Sequence, residues 1–347
     1  MSPFILAALI SSLGLGTVIT FSSSHWLLAW MGLEINTLAI LPIMSKDHHP
    51  RAVEATTKYF ITQATAAAMI LFASTTNAWV TGQWDIQQLT CPVSISMAAF
   101  ALALKLGLAP VHFWLPEVLQ GLDLVTGLVL STWQKIAPLT LLLQMTQIDP
   151  LVTTTLGLSS MLVGGWGGLN QTQLRKVLAY SSIAHLGWMI IIIKFDPFLT
   201  ILSMALYIFM TSSAFITLHK TKSTTMNSLA TSWSKAPTLT AFFPLVVLSL
   251  GGLPPLSGFM PKWLILQELT KQSLPLLASV SALSALISLY FYLRLSYAMA
   301  LTSPPATSAA TVSWRLSSNK FTLLLAIAIS VSVFVLPLTP TALAIFH

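Results

Sequence analysis

Four ionisable side chains lie far from the ends of the long apolar stretches of this sequence. They are Glu34, Lys105, Lys135 and Lys262. If the stretches are helices, Lys105 and Lys135 lie roughly 17 Å from the start of theirs, and Lys262 roughly 14 Å from the end of its own. In helices that cross a bilayer, all four would lie near the bilayer centre.

A charge at that depth costs at least about 2.5–3.5 kcal/mol on insertion scales, so intramembrane charges usually mark function. A buried Glu34–Lys105 ion pair that only orients helices is the structural alternative, but three lysines against one carboxylate are not balanced. Burial favours neutral lysine, whereas a nearby carboxylate favours the charged form. The distance between Glu34 and a lysine would therefore control proton binding. We expect Lys105 and Lys135 to take up and release a proton, and Lys262 to pass it on.

Two histidines are secondary candidates for the same chemistry. His112 follows the Ala109-Pro110 step, and His185 lies in the middle of an apolar stretch. Imidazole titrates near neutral pH, which suits a proton relay. A hydrogen-bonded core histidine is an equally good interpretation of each.

The composition predicts the elements that position these residues. Of 347 residues, 55% are hydrophobic and 7% are charged, against about 25% charged in soluble domains. Apolar stretches of about 20 residues, the length that spans a bilayer as a helix, recur throughout. The predicted fold is an all-α, polytopic transmembrane protein with eleven spans, at 3–21, 25–44, 53–76, 94–117, 124–147, 150–169, 176–194, 198–219, 238–271, 275–298 and 321–343.

Charge and cysteine content narrow the class further. Nine basic residues fall in loops on the predicted N-terminal side, against two on the other side, so the N-terminus should face the matrix or cytoplasm. The nine are Lys46, Arg51, Arg175, Lys176, Lys220, Lys222, Lys235, Arg315 and Lys320. No basic cluster suits nucleic-acid binding. The single cysteine, Cys91, offers no iron–sulfur or zinc spacing. The first stretch, without a preceding basic residue, should be a retained span.

Two spans carry the same interruption. In 94–117 and in 238–271 a proline is followed by another six residues later, and the two pairs are offset by 145 residues (255 − 110 and 261 − 116). Proline interrupts a helix, and paired broken helices are typical of inverted-repeat transporters. We predict a five-helix repeat over 1–148, an inverted five-helix repeat over 149–299, and a loop with a C-terminal transmembrane helix over 300–347.

Residues 30–36, 105–117, 176–185 and 252–259 together resemble the antiporter-like subunits of respiratory complex I. The resemblance extends over essentially the whole chain and is to the animal mitochondrial form. It implies proton translocation across the mitochondrial inner membrane, coupled to electron transfer from NADH to ubiquinone, with the N-terminus in the matrix. It assigns Glu34 and Lys105 to the family's Glu–Lys pair, Lys135 to its central lysine, and Lys262 to the lysine after the second break.

The same resemblance places NADH, FMN, the iron–sulfur clusters and ubiquinone in other subunits, with no cofactor in this chain. Its partners would be other membrane-arm subunits and the lipid bilayer, so the chain would not function as a monomer. Two alternatives remain open. One is a stand-alone cation/proton antiporter, although the sequence has few midspan acidic residues for a sodium site. The other is a structural membrane-arm subunit without its own proton path.

Overall fold

The computed structural model describes residues 2–46, 48–234, 236–300 and 322–346. The described chain is almost entirely helical, which confirms the predicted fold class. The helices are α1 (Pro3–Ser22), α2 (Trp26–Met44), α3 (Pro50–Thr81), α4 (Pro92–Leu106), α5 (Trp114–Gly121), α6 (Leu124–Ser131), α7 (Trp133–Gln144), α8 (Pro150–Gly168), α9 (Leu174–Ile192), α10 (Pro197–Thr221), α11 (Met226–Ala230), α12 (Pro237–Gly251), α13 (Phe259–Lys271), α14 (Pro275–Ala300), α15 (Thr322–Phe334) and α16 (Thr339–Phe346).

Proline sets the start of many of these helices. Its missing N–H costs nothing in the first turn, where that group has no intrahelical partner, and its fixed φ suits a helix. The caps complete the start: the Asp196 carboxylate accepts the Phe198 N–H at 2.9 Å, and His49 Nδ1 accepts the Arg51 N–H at 3.2 Å. The helix start predicted at residue 150 is confirmed, and the one predicted at 198 lies one residue after the observed start, Pro197.

Several helices are long and apolar enough to cross a membrane. By length and composition, α1, α2, α10 and α14 qualify among the described residues, and α4, α12 and residues 323–334 of α15 are shorter apolar helices. α3 has 32 residues, or about 48 Å, more than the roughly 30 Å of hydrocarbon. The chain is therefore a membrane protein, and the number of eleven spans stays a prediction.

Both predicted interruptions are present, and each begins at a glycine. α4 ends before Gly107 at φ 77°, and α12 ends before Gly252 at φ 78°. In each, the residue after the glycine donates to a carbonyl of the last helical turn, Leu108 N to Ala103 O and Leu253 N to Leu248 O, which ends a helix in a Schellman motif. The glycines are 145 residues apart (252 − 107).

Two further interruptions were not predicted. The predicted span 124–147 divides into α6 and α7 at Thr132, whose φ of −111° and ψ of −70° depart from helical values. The predicted span 321–343 divides at a short 3₁₀ turn, Leu336–Leu338, before α16. Pro337 explains the second, since proline removes a backbone donor. The first contains neither glycine nor proline.

The chain divides into two compact units, a first unit over Met1–Ser160 and a second unit over Met161–His347. In the first, α2 packs on α1 and α3, while α7 contacts α1, α2 and α4. In the second, α10 contacts α9, α12, α13 and α15, and α14 packs on α12 and α13. The division falls inside α8. The two repeats predicted over 1–148 and 149–299 stay a prediction, and much of the predicted loop, 301–321, lies outside the described residues, as do the basic residues Lys235, Arg315 and Lys320.

Serine side chains tie both interruptions to neighbouring helices. In the first unit, Ser160 Oγ accepts the Ala109 N–H at 3.1 Å, and Ser159 Oγ donates to the Ala109 carbonyl at 3.3 Å. In the second unit, Ser257 Oγ donates to the Ser332 carbonyl on α15. Backbone polar groups freed from a helix inside a membrane need such partners, so neighbouring helices stabilise the broken segments.

Candidate functional site

Lys105 lies in the last turn of α4, two residues before the first interruption. Its side chain is only 5% exposed, and its Nζ has no hydrogen-bond partner among the described residues. The sequence places it there because Gly107 ends the helix directly after it. A buried amine beside non-helical backbone can exchange a proton with a water molecule or an ionisable group that reaches it.

Glu34 lies on α2, half-buried, and acts on Lys105 through space. Thr37 Oγ1 donates to Glu34 Oε2 at 3.0 Å. The ion pairs of the described residues involve Lys58 and Lys271, and Glu34 and Lys105 are not in direct contact. Any interaction between them is through space, and the functional Glu34–Lys105 pair stays a prediction.

Lys135 lies in the first turn of α7, directly after the unpredicted interruption. Its side chain is 2% exposed. The backbone N–H of Lys135 donates to the Thr132 carbonyl at 3.3 Å. Thr132 Oγ1 donates to the Leu128 carbonyl at 2.7 Å. The interruption therefore gives Lys135 the same local setting as Lys105, at a helix end within the membrane.

One small cavity in the first unit joins these two lysines. Its open interior is about 10 Å³, the room that one water molecule needs. The cavity lies among α2–α7. Its lining residues are Leu33, Asn36, Thr37, Tyr59, Gln63, Lys105, Leu106, Trp114, Leu130, Gln134, Lys135, Ala137 and Pro138.

The cavity wall contains more polar groups than the charges alone. The side-chain oxygen and nitrogen of Asn36 and the Nε2 of Gln63 have no hydrogen-bond partner among the described residues. Gln134 Nε2 donates to the Asn36 carbonyl at 3.3 Å, which ties α7 to α2. Sequence reasoning missed Asn36, Gln63 and Gln134. The feature of the sequence that could have identified them is an uncharged amide side chain in the middle of an apolar stretch.

Lys262 lies in the second unit, in the first turn of α13 after the second interruption. Its side chain is 8% exposed, and Nζ donates to the Gly251 carbonyl at 2.8 Å. Gly251 is the last residue of α12, and carbonyl groups at a helix C-terminus attract a cation. The lysine thus bridges the two half-helices of its own interruption.

The two histidines occupy different surroundings. His112 lies within the first interruption, 5% exposed, with its ring centroid 4.3 Å from that of Phe113. His185 lies in the middle of α9, 8% exposed, and its ring centroid is 5.6 Å from that of Tyr207 on α10. The structure brings together Lys105 and Lys135 with Glu34 nearby, and His185 lies in the same unit as Lys262.

The described residues contain no group of three or more His, Cys, Asp or Glu side chains that could hold a metal ion. Amines, a carboxylate and imidazoles are side chains that can bind and release protons. The amides and hydroxyls of the cavity can orient a water molecule between them.

The sequence matches two family profiles. Residues 23–288 match the transmembrane family NADH:quinone oxidoreductase/Mrp antiporter, and residues 289–343 match the NADH dehydrogenase subunit 2 C-terminus. The NADH-ubiquinone oxidoreductase chain 2 of Formosania lacustris is 66% identical over 347 residues, 100% of both chains. That of Oncorhynchus mykiss is 67% identical over 345 residues, 99% of both chains.

Solved structures show the same fold. A chain of respiratory complex I from Thermus thermophilus is 28% identical with a TM-score of 0.81, over 97% of this chain and 80% of that one. A chain of the Mrp complex from Dietzia sp. DQ12-45-1b is 17% identical with a TM-score of 0.82, over 96% of this chain and 75% of that one. The second likeness, at low identity, concerns the fold alone.

Proposed function

The chain belongs to the NADH-ubiquinone oxidoreductase chain 2 family, and from that premise we propose that it translocates protons through Glu34, Lys105, Lys135 and Lys262. It is an antiporter-like membrane subunit of respiratory complex I. The proton movement is coupled to electron transfer from NADH to ubiquinone in other subunits. His112 and His185 are proposed relay residues.

The observation that carries this proposal is the cavity shared by Lys105 and Lys135. Protonating both amines in one low-dielectric cavity is unfavourable, because like charges repel and burial disfavours each charge. A proton on one therefore favours a neutral partner. Asn36 and Gln63 have the free polar atoms to hold a water molecule between them, and a held water can pass the proton.

Glu34 would control the protonation of Lys105. The two side chains are not in contact, so their interaction would strengthen if a movement brought them together. Two charges about 4 Å apart interact by about 4 kcal/mol at an effective dielectric near 20. A movement of α2 against α4 would therefore load or unload Lys105, and through the cavity Lys135.

Lys262 would carry the proton in the second unit, beside the interruption that corresponds to the one next to Lys105. The matching positions of Gly107 and Gly252 and of the helix starts at Trp114 and Phe259 support two repeats over 1–148 and 149–299. We propose that the second is inverted, as in transporters with paired broken helices, and that a C-terminal helix follows within 300–347.

We further propose a location in the mitochondrial inner membrane with the N-terminus in the matrix, as the basic loop residues favour. Neighbouring membrane-arm subunits would cover the chain's exposed faces. NADH, FMN, the iron–sulfur clusters and ubiquinone would bind to other subunits, with no redox centre in this chain.

The test is Lys135→Met in the intact complex. The variant keeps the length and apolar stem of the side chain, so the complex should assemble, but coupled NADH oxidation in sealed membranes should fall by about a hundredfold, the lower range for a positioned proton-transfer group. The control is Lys46→Met, because Lys46 is exposed in a loop and should leave the rate unchanged. An unchanged rate in Lys135→Met would favour the purely structural role. Cation/proton exchange by the chain reconstituted alone would favour the stand-alone antiporter.

A further inference from the structure

Thr37 is a residue of α2 to which the proposed function gives no role, although its hydroxyl contacts the carboxylate of Glu34. Thr37 Oγ1 lies 3.0 Å from Glu34 Oε2 and 2.9 Å from the Glu34 carbonyl oxygen, and its single hydrogen can be donated to either. Threonine hydroxyls in helices often donate to a carbonyl one turn back, as Thr56 Oγ1 does to the Val53 carbonyl at 2.7 Å. At Thr37, a carboxylate oxygen is a second acceptor.

The cavity between Lys105 and Lys135 places Thr37 beside these lysines. Thr37 lines the cavity from α2, Lys105 from α4 and Lys135 from α7. Glu34 is not among the lining residues, but its carboxylate is held to Thr37, one turn further along the same helix. The observed hydrogen bond therefore keeps the carboxylate next to the cavity wall and out of contact with Lys105.

The polar atoms of the cavity wall suit a carboxylate. Lys105 Nζ and Gln63 Nε2 have no hydrogen-bond partner among the described residues, and both are donors that a carboxylate oxygen can accept from. The open interior of about 10 Å³ has the room of one water oxygen, and hence of one carboxylate oxygen. Glu34 thus has two alternative positions, the observed one at Thr37 and one that reaches into the cavity.

The charges around α2 favour the second position. The helices α1, α3 and α7 pack on α2. α1 contains no ionisable side chain, α3 contributes Tyr59 to the cavity wall, and α7 contributes Lys135. The cations that attract the carboxylate are therefore Lys105 and Lys135, and the Thr37 hydroxyl competes with them from the carboxylate's own helix.

We propose that Thr37 is a positioning residue that holds the Glu34 carboxylate away from Lys105 until a proton is to be loaded. A hydrogen bond to an ionised group is about twice as strong as one between neutral groups, so the hydroxyl offsets part of the attraction of the lysines. When the hydroxyl turns to the Glu34 carbonyl, the carboxylate is released and can pair with Lys105, which then retains its proton. The role rests on the proposed function, because Thr37 acts only through Glu34 and Lys105.

The experiment uses the intact complex in sealed vesicles and measures coupled NADH oxidation together with protons translocated per electron. Thr37→Val keeps the shape of the side chain and removes the hydroxyl, so Glu34 should stay with Lys105. We expect normal assembly and coupled oxidation about tenfold lower, which corresponds to about 1.4 kcal/mol, the lower end for a hydrogen bond to a charged group. Thr37→Ser keeps the hydroxyl and should restore most of the rate.

The matched control is Thr56→Val. Thr56 is 8% exposed on α3, and its hydroxyl donates to a carbonyl of its own helix, so the substitution should leave both readouts as in the wild type. A wild-type rate and ratio in Thr37→Val overturn the proposal. A loss in Thr37→Ser as large as that in Thr37→Val also overturns it, because the hydroxyl would then not be the group that matters.

Glu34→Gln separates this proposal from the proposed function. If Glu34→Gln is impaired and Thr37→Val matches the wild type, the positioning role is overturned and the proposed function stands. If Glu34→Gln itself matches the wild type, both are overturned at Glu34. In the Glu34→Gln background, adding Thr37→Val should cause much less than a tenfold further loss, and the same fold loss in both backgrounds overturns the positioning role. Should Thr37→Val reduce assembly, Thr37→Ala replaces it in the same comparisons.

Discussion

Gln63 is one of the uncharged polar residues that line the cavity between Lys105 and Lys135. It is 4% exposed, and its Nε2 has no partner among the described residues. Such a group costs about 1–3 kcal/mol when buried, which packing alone does not repay. Its proposed role is to orient a water molecule in the cavity.

Replacing Gln63 by methionine should separate stability from function. Methionine has nearly the same shape and no polar atom to leave unpaired, so the free energy of unfolding should stay equal or rise by about 1 kcal/mol. Coupled NADH oxidation should fall, because the cavity loses a water-orienting group. Thermal unfolding and activity of the purified complex measure both, with the exposed Gln88→Met as control. Full activity in Gln63→Met would exclude a role for this amide.

At this scale the sequence predicted the charged residues and not their amide neighbours. A lysine or glutamate in the middle of an apolar stretch stands out because its insertion is costly. Asparagine and glutamine are tolerated in spans for many reasons, and only the packing of α2, α3 and α7 brings Asn36, Gln63 and Gln134 into one cavity. The role of all these residues in proton transfer is still a proposal.

Among the helices, the close approach of α1 to α2 positions Asn36. A Cβ on Gly16 would lie 2.5 Å from Asn36 Oδ1 and 2.9 Å from the Gly32 carbonyl oxygen. Contacts this short require backbone shifts, so the glycine pair allows α2 to lie against α1 with its polar residues turned into the cavity.

Gly16→Ala should therefore destabilise the first unit by about 1–3 kcal/mol, as overpacking generally does, and displace the Asn36 side chain. Gly14→Ala is a matched control two residues away, because no atom lies within 4 Å of its Cβ. That substitution should be neutral or stabilise α1 by about 0.5–1 kcal/mol. Thermal unfolding of the complex compares them, and equal stability of the two variants would contradict the close-packing argument.

The glycines that end the half-helices offer a graded test. Gly82, Gly107 and Gly252 all have φ above 70°, so alanine costs roughly 1–2 kcal/mol of strain at each. At Gly82 nothing else is near, whereas at Gly252 the Cβ would lie 2.9 Å from Lys262 Nζ. We expect Gly82→Ala to lower stability only, and Gly252→Ala to lower both stability and coupled activity. Similar activity in both variants would argue against this placement of Lys262.

The helix interruptions marked by proline pairs were predictable from the sequence, whereas the interruption at Thr132 was not. The proline pairs at 110 and 116 and at 255 and 261 interrupt their helices through missing donors and steric clash. Thr132 carries no such signal, and the break there lies close to Gln134, which is held to α2, on a helix that packs against α1, α2 and α4 as well as α6. Tertiary packing overrides helix propensity at that point, which sequence periodicity does not register.

On the scale of the whole molecule, each unit contains one of the two predicted interruptions, with a buried lysine beside it. α4 and α12 both have 15 residues, and the half-helices that follow them start 145 residues apart (259 − 114). The lysines differ in place: Lys105 precedes its interruption, and Lys262 follows its own. The proposed repeats thus have the same arrangement of half-helices. The lysine lies on the half-helix before the interruption in the first repeat and on the half-helix after it in the second.

The central claim is that protons cross the first unit through the Lys105–Lys135 cavity, and the number of protons translocated per electron tests it most directly. The measurement compares the wild-type complex with Lys135→Met in sealed vesicles at matched rates of NADH oxidation. The account predicts a lower ratio in the variant, or an oxidation rate too low to match, with normal assembly. A normal ratio at a normal rate would contradict it.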